Sequence, residues 1–304
     1  MIRKVLQIVW RWGEMVKFPH SVFALPFALL ATFLAARAAF RAGDADHAYP
    51  GPGQILLIIG CMVAARSTAM TFNRIVDAAI DARNPRTAGR AIPAGIMSRV
   101  EALGFLVAAV AAFILCCGGF RWLYGNSYPV LLSVPVLAYL CFYSYTKRFT
   151  RWSHFVLGSA IALSPPAAWI AIHPASLGWP AVILLASVTL WIGGFDIIYA
   201  CQDIAPDQAD GLFSLPARLG TRPALWIARA AHAATVVLLV ALMPTAGLSW
   251  LYGVGAAAVA VLLLIENAMV RADDLSRVNI AFFTVNGVVS LLLGALGIAD
   301  CLLL

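Results

Sequence analysis

The sequence predicts an all-α, polytopic membrane protein, nine transmembrane helices in one domain over residues 1–304, and three observations carry that reading. The 304 residues are 62% hydrophobic and 12% charged, with a mean hydropathy of +0.88, whereas soluble domains average about 45–50% apolar and about 25% charged. Apolar runs of about 20 residues, each enough to cross a bilayer's hydrocarbon core, recur along the whole length. The cations are not pooled on one patch but alternate between loops, as topology requires.

Taken in order, the spans fall at 18–40, 53–75, 97–119, 128–146, 153–173, 179–201, 222–243, 248–269 and 278–302. The residues before the first span are basic and amphipathic and lack a small-residue cleavage site, so they do not read as a cleavable signal. The stretch 41–52 (RAGDADHAYPGP) is a Gly/Pro-rich external turn, with 121–129 a second external connection. Pro135, Pro165 and Pro166 lie within spans and predict kinks, tolerated where neighbouring helices or water take up the freed carbonyls. The MPTAGLSW stretch at 243–250 is too short to hold a function. Abundant Gly and Ala suit close packing of helices in lipid.

With a cytoplasmic N-terminus the charges sort cleanly. Arg3, Lys4, Arg11, Lys17, Arg74, Arg83, Arg86, Arg90, Arg99, Lys147, Arg148, Arg151, Arg218, Arg222, Arg271 and Arg277 fall on the cytoplasmic side. Arg37, Arg41 and Arg121 are the exceptions outside, beside Asp44 and Asp46. The net charge of +7 is therefore a topology signal and not the footprint of nucleic acid. Cys61, Cys116, Cys117, Cys141, Cys201 and Cys301 show no CxxC pairing and read as core packing. The histidines His20, His154, His173 and His232 read as packing or interfacial residues.

Two loops on the cytoplasmic side carry the chemistry. In the first, Asn73, Asp77 and Asp81 are spaced i, i+4, i+8, so on a helix they stay along one face, with Arg66 two turns above. In the second, Asp196, Asp203, Asp207 and Asp210 are spaced 7, 4 and 3, and Pro206 predicts a bend or restart between them. Asp77, Asp81 and the four acids of the second loop would cost on the order of 15–20 kcal/mol if all faced lipid. They must line a polar chamber and be compensated. Hard carboxylate oxygens suit magnesium or calcium, and magnesium fills its remaining positions with water and phosphate oxygens. Facing clusters of this kind would hold a diphosphate through bridging metals, with Arg and Lys neutralising the rest. The rival class is a cation-coupled transporter, since intramembrane acids also mark ion pathways; it would gather its charges near the midplane and not in loops.

These residues resemble a known family. N-x-x-x-D-x-x-x-D (Asn73, Asp77, Asp81) followed by R-T-x-x-R-x-[IL]-P-x-G (Arg86, Thr87, Arg90, Pro93, Gly95) is similar to the first signature of the UbiA superfamily of intramembrane aromatic prenyltransferases. The second signature is matched by Asp196, Tyr199, Ala200, Asp203 and Asp207, then Gly211, Ser214, Ala217 and Gly220. Tyr145, Lys147, Arg148 and Thr150 match an intermediate Y-x-K-R-x-T, and SPPAAW at 164–169 and KFPHSVFALPFA near the start also agree. The chain departs from many relatives at Arg74, where an Asp is common, and at Pro206.

The resemblance is strongest to the 4-hydroxybenzoate polyprenyltransferase branch. It implies nine helices around a central cavity with cytoplasmic cap loops, in a bacterial inner membrane, acting on a polyprenyl diphosphate and a phenolic acid. The acceptor would be 4-hydroxybenzoate (ubiquinone route) or a dihydroxynaphthoate (menaquinone route), with no obligate protein partner. It also implies two Mg²⁺ ions, one on Asn73, Asp77 and Asp81 and one on Asp203 and Asp207. Asp196 would support the metal site or orient the acceptor. Arg66, Arg86, Arg90, Lys147 and Arg148 would neutralise the diphosphate, and Tyr145 and Tyr199 would offer π faces to an allyl cation.

Overall fold

The computed structural model describes residues 23–304, which are helical with no strand among them. Expectations that fall on residues 1–22 (the basic N-terminal segment, His20 and the start of the first span) lie outside the described residues. Among the described residues, nine helices are long and apolar enough to cross a membrane: Leu25–Ala42, Pro52–Val76, Arg99–Tyr124, Tyr128–Thr146, Ser153–Ile172, Trp179–Ala209, Thr221–Ala246, Trp250–Met269 and Val278–Leu303. They are referred to below as the first to ninth spans. The ends joined by the two acidic loops form the cap end of the bundle.

The third span departs from its predicted end for a packing reason. The third span continues to Tyr124, past the expected end at 119, because Gly118 and Gly119 are packing glycines and not a stop; a Cβ on Gly119 would meet Leu57 at 2.7 Å. It ends at Gly125, whose φ of 70° no β-carbon residue adopts cheaply. The connection expected over 121–129 therefore shrinks to residues 125–127. There Asn126 donates to the carbonyls of Ile170 and Ala171 at 2.8 and 2.9 Å, satisfying groups left open at the end of the fifth span.

Prolines act where helix geometry says they must. The fifth span divides at Leu163 into Ser153–Ala162 and Ser164–Ile172, with Pro165 and Pro166 in the first turn of the second piece, where a missing N–H removes no hydrogen bond. Pro135 sits inside Tyr128–Thr146 without ending it. In the sixth span the α-helix stops at Ala200, passes through a 3₁₀ turn at Cys201–Asp203 and restarts at Ile204. Pro206 has no N–H for the carbonyl four residues back, at Gln202, so the break falls there.

Inside the bundle the sixth span presents Trp191, Phe195 and Tyr199 at helical spacing. Phe282 of the ninth span packs on this column, 5.2 Å from the Phe195 ring and 4.2 Å from Tyr199. Phe282 lies in a π-helical turn, Ala281–Val285. Asn286 stabilises that turn by donating to Ala281 O at 3.1 Å and to Glu266 Oε1 at 2.7 Å, while Trp191 Nε1 donates to Asn286 Oδ1 at 2.7 Å. Glu266 and Asn286 are completely buried, and sequence reading did not single out either.

The end opposite the cap is fastened by charge. Arg37, left by topology as an exception, is buried and donates to the carbonyls of Ala246, at 2.9 Å, and Gly247, at the end of the seventh span. Asp300 accepts from the N–H groups of Ser249 and Tyr252 at 2.8 and 3.2 Å and from the Ser249 hydroxyl. It caps the N-terminus of the eighth span from another helix. Asp300→Ala strands those buried donors and should lower unfolding stability by about 1–3 kcal/mol, with Asp300→Asn between the two. A denaturant titration in detergent checks this, and an unchanged midpoint for the Ala variant contradicts it.

Candidate active site

The first acidic group straddles the end of the second span. The helix ends at Val76, Asp77 takes a non-helical conformation (φ −91°, ψ 2°), and the short helix Ala78–Arg83 resumes. Asp77 N–H still reaches Asn73 O at 2.9 Å and Asp81 N–H reaches Asp77 O at 2.8 Å, so the three side chains remain on one side. Asp77 and Asp81 are 1% and 3% exposed. Buried carboxylates need compensation, and both have it. Asp77 Oδ2 accepts from Asn73 at 2.9 Å and pairs with Lys147 at 2.6 Å, while Oδ1 accepts from Arg148 at 3.1 Å. Asp81 Oδ1 pairs with Arg90 at 2.6 Å; its other oxygen is buried without a partner.

The second group begins where the sixth span breaks. Asp203 accepts from Asn84 at 3.0 Å and from both ends of the Arg86 guanidinium, at 2.9 and 2.5 Å. Arg86 also donates to the Tyr199 hydroxyl at 2.9 Å and stands 5.0 Å from that ring's centre. Burial opposes the Arg86 charge, but the hydrogen bond and charge of Asp203, with Tyr199 and Asp81 nearby, hold its pKa above the ordinary arginine value. Arg83 and Asp210 form a second tie between the loops at 2.7 Å. A third segment joins through the backbone, Phe213 N–H donating to Lys147 O at 2.7 Å. Asp207 hydrogen-bonds Ser214, whose hydroxyl also accepts from Ala217 N–H at 3.3 Å to start the helix Leu215–Leu219.

Asp196 sits two turns before Asp203, paired with His154 Nδ1 at 2.7 Å. Leu215 N–H donates to His154 Nε2 at 3.2 Å. A ring nitrogen that accepts carries no proton, so the proton of the neutral ring is on Nδ1 and points at Asp196. His154 thereby connects the sixth span to the second loop.

Two loops over a hundred residues apart, and the connection between them, thus meet in one chamber where carboxylates and cations close on each other. Its hard oxygen donors and the partnerless oxygen of Asp81 fit a divalent ion of the magnesium type. Among the described residues no three acidic, His or Cys side chains are gathered tightly enough to hold an ion without rearrangement; the cations stand between them.

The model of the UbiA prenyltransferase family matches residues 24–288. The chain belongs to that family. It is 29% identical over 179 residues to the 4-hydroxybenzoate octaprenyltransferase of Hydrogenovibrio crunogenus, covering 59% of this chain and 60% of that one. To the enzyme of the same name from Enterobacter sp. it is 31% identical over 186 residues, covering 61% and 62%. The match thus spans less than two thirds of these relatives' lengths. A UbiA homolog from Aeropyrum pernix K1, solved without ligand, superposes with a TM-score of 0.79 at 32% identity, over 92% of this chain and 98% of that one. A UbiA homolog from Archaeoglobus fulgidus bound to GPP and Mg²⁺ has the same fold, with a TM-score of 0.66 at 18% identity over 96% and 99%.

Within this UbiA chain, the structure brings together Asn73, Asp77, Asp81, Arg86, Arg90, Lys147, Arg148, Tyr199 and Asp203. Asp207 borders them. Tyr145 lies under Arg148, whose guanidinium is 5.3 Å from the ring centre, so both tyrosines selected for their π faces already carry an arginine. Arg66 is two turns deeper, within electrostatic reach of Tyr143, and Asp196 pairs with His154. Sequence reasoning does not single out Asn84, marks Arg74 only as a departure from the motif, and reads His154 as a packing or interfacial residue. Arg74 is 9% exposed and donates to Asn73 Oδ1 at 3.4 Å, so the departure from the family motif places a cation inside the first acidic group. Asn84 lies within the first signature, but its partner is 119 residues away.

His154→Leu removes the donor to Asp196 and should lower turnover about tenfold or more, in line with the 1.5–3 kcal/mol typical of a hydrogen bond to a charged group. His154→Asn, which places an amide N–H near the Nδ1 position, should recover most of it. Steady-state kinetics of both variants check this, and equal losses in the two contradict it.

Proposed function

We propose that this protein transfers a polyprenyl group from polyprenyl diphosphate to a phenolic acid, 4-hydroxybenzoate, in an inner membrane with the cap end facing the cytoplasm. The observation that carries the reading is Arg86 bridging Asp203 and Tyr199. One guanidinium from the first signature touches a carboxylate and a phenol from the second, so the motifs form a single site. Its chain ancestry and the names of its relatives supply the substrate class.

Asn73, Asp77 and Asp81 would hold one Mg²⁺ and Asp203 and Asp207 another. When bound, magnesium neutralises diphosphate oxygens and so makes the leaving group better. The chain's own cations do the rest. Arg86, Arg90, Lys147 and Arg148 each pair with a carboxylate that the ions would claim, and each is released to a phosphate oxygen when they do. Guanidinium forks suit phosphate geometry, and aimed at a departing diphosphate they stabilise the charge that develops there. The allylic C–O bond breaks with its electron pair leaving on the diphosphate. The ring carbon ortho to the phenol hydroxyl attacks the allyl cation, and the ring proton is lost. Once Arg86 turns to phosphate, the exposed face of Tyr199 is available to that cation. The column of Trp191, Phe195, Tyr199 and Phe282 keeps water from competing.

Asp77→Ala and Asp203→Ala should each reduce magnesium-dependent pyrophosphate release from a polyprenyl diphosphate and 4-hydroxybenzoate by about 10²–10³-fold or more, the scale of losing one electrostatic stabiliser. Thermal unfolding of both variants verifies that the fold survives. Unchanged turnover in both rejects the site. Product mass, with a dihydroxynaphthoate supplied in competition, identifies the acceptor.

A further inference from the structure

Away from the acidic loops, the cap end of the seventh span carries a second concentration of positive charge. Arg222, Trp226 and Arg229 are spaced four and three residues apart in the helix Thr221–Ala246, which puts them on one face. Arg271, from the connection between the eighth and ninth spans, closes the same groove. These four residues with Leu225 and Ala272 line a cavity of about 180 Å³. Arg229 is fixed in it, 4.9 Å from the Trp226 ring centre and 3.4 Å from the carbonyl of Asn267 near the end of the eighth span. The Trp226 indole is 62% exposed, an amphipathic ring at the level where membrane proteins collect tryptophan.

The charge balance here is opposite to that of the active site. Arg83, Arg86, Arg90, Lys147 and Arg148 each meet a carboxylate. Arg222, Arg229 and Arg271 form no ion pair among the described residues. The acids nearest in sequence are Asp273 and Asp274; Asp274 accepts from Ser276 N–H at 3.0 Å. Leu225 belongs to an apolar cluster with Ile197 and Ile198 of the sixth span.

We propose that this groove binds the phosphate of an anionic phospholipid headgroup from the leaflet at the cap end. Asp274 stands within electrostatic reach of Arg271 without forming an ion pair. Three guanidiniums around a concavity, not ion-paired among the described residues, match a phosphodiester, which arginine forks recognise well. The volume holds one phosphate group with a few waters at about 30 Å³ each, and the exposed indole lies beside the acyl chains. The helix that carries Arg222 starts directly after the Gly211–Gly220 loop of the site, so a bound headgroup braces the segment holding Asp207 and Ser214.

The test is native mass spectrometry of the purified full-length protein exchanged against vesicles of phosphatidylglycerol or phosphatidylcholine with identical acyl chains. The wild type should retain phosphatidylglycerol preferentially. Each of Arg222→Gln, Arg229→Gln and Arg271→Gln should lower that preference about fivefold, the equivalent of about 1 kcal/mol per basic residue near an anionic surface. Arg99→Gln, elsewhere on the cap end, should leave it intact, and inorganic phosphate should not displace the lipid. Arg271 is in an exposed connection, so its variant tests the groove even if a span variant fails to fold. The proposal is overturned if Arg271→Gln keeps the wild-type preference, if Arg99→Gln lowers it as much, or if free phosphate competes the lipid away.

Discussion

A carboxylate at the end of an apolar bundle cannot be left without a counter-charge, and the folded form of the cap follows from that requirement. Asp77 and Asp81 are almost wholly buried. To neutralise them the chain brings Lys147 and Arg148 from the connection after the fourth span and folds its own Arg90 back. Asp203 draws Arg86 and Asn84 across from the first loop in the same way. Apolar packing also contributes at this end, through Cys201 and Leu215 with Ile197 and Ile198, and through Met97 and Ala102 with Ile75 and Ile92. Charge pairing decides which loop touches which.

Such pairs are weak sources of stability, because desolvating two ions offsets much of their attraction and well-packed apolar residues often do as well. Their persistence here is better explained by exchange. Arg86, Arg90, Lys147 and Arg148 each hold a carboxylate that would suit a metal ion, and Asp77, Asp81 and Asp203 each hold a cation that would suit a phosphate. Under the proposed function, metal and diphosphate arriving together would replace each pair with two new ones at little electrostatic cost. The apolar part of the bundle supplies what the charges do not. The Trp191–Asn286–Glu266 hydrogen bonds and the π-helical turn at Ala281–Val285 hold a dry aromatic wall under the chamber.

The spans were legible in the sequence because run length and charge asymmetry are local properties. The break near Pro206 was legible for the same reason, since it follows from a missing N–H and a ring clash. The end of the third span was not, because whether Gly118 and Gly119 stop a helix depends on Leu57 of another span. In the site, the spacing of Asn73, Asp77 and Asp81 and of the four later acids gave the two groups, and their approach follows from the chemistry of opposite charges. The identity of each partner did not. Nothing in the residues around His154 says that it meets Asp196, nor does anything near Glu266 point to Asn286. These contacts connect separate helices, and only the packed structure sets them.

What the cations do when substrate arrives is the deciding event. A structure of this chain with polyprenyl diphosphate and Mg²⁺ measures it. The prediction is that Arg86 leaves Asp203, and Lys147 and Arg90 leave Asp77 and Asp81, for phosphate oxygens, while the carboxylates turn to metal. Diphosphate bound elsewhere, with the Arg86–Asp203 and Lys147–Asp77 pairs intact, would contradict it.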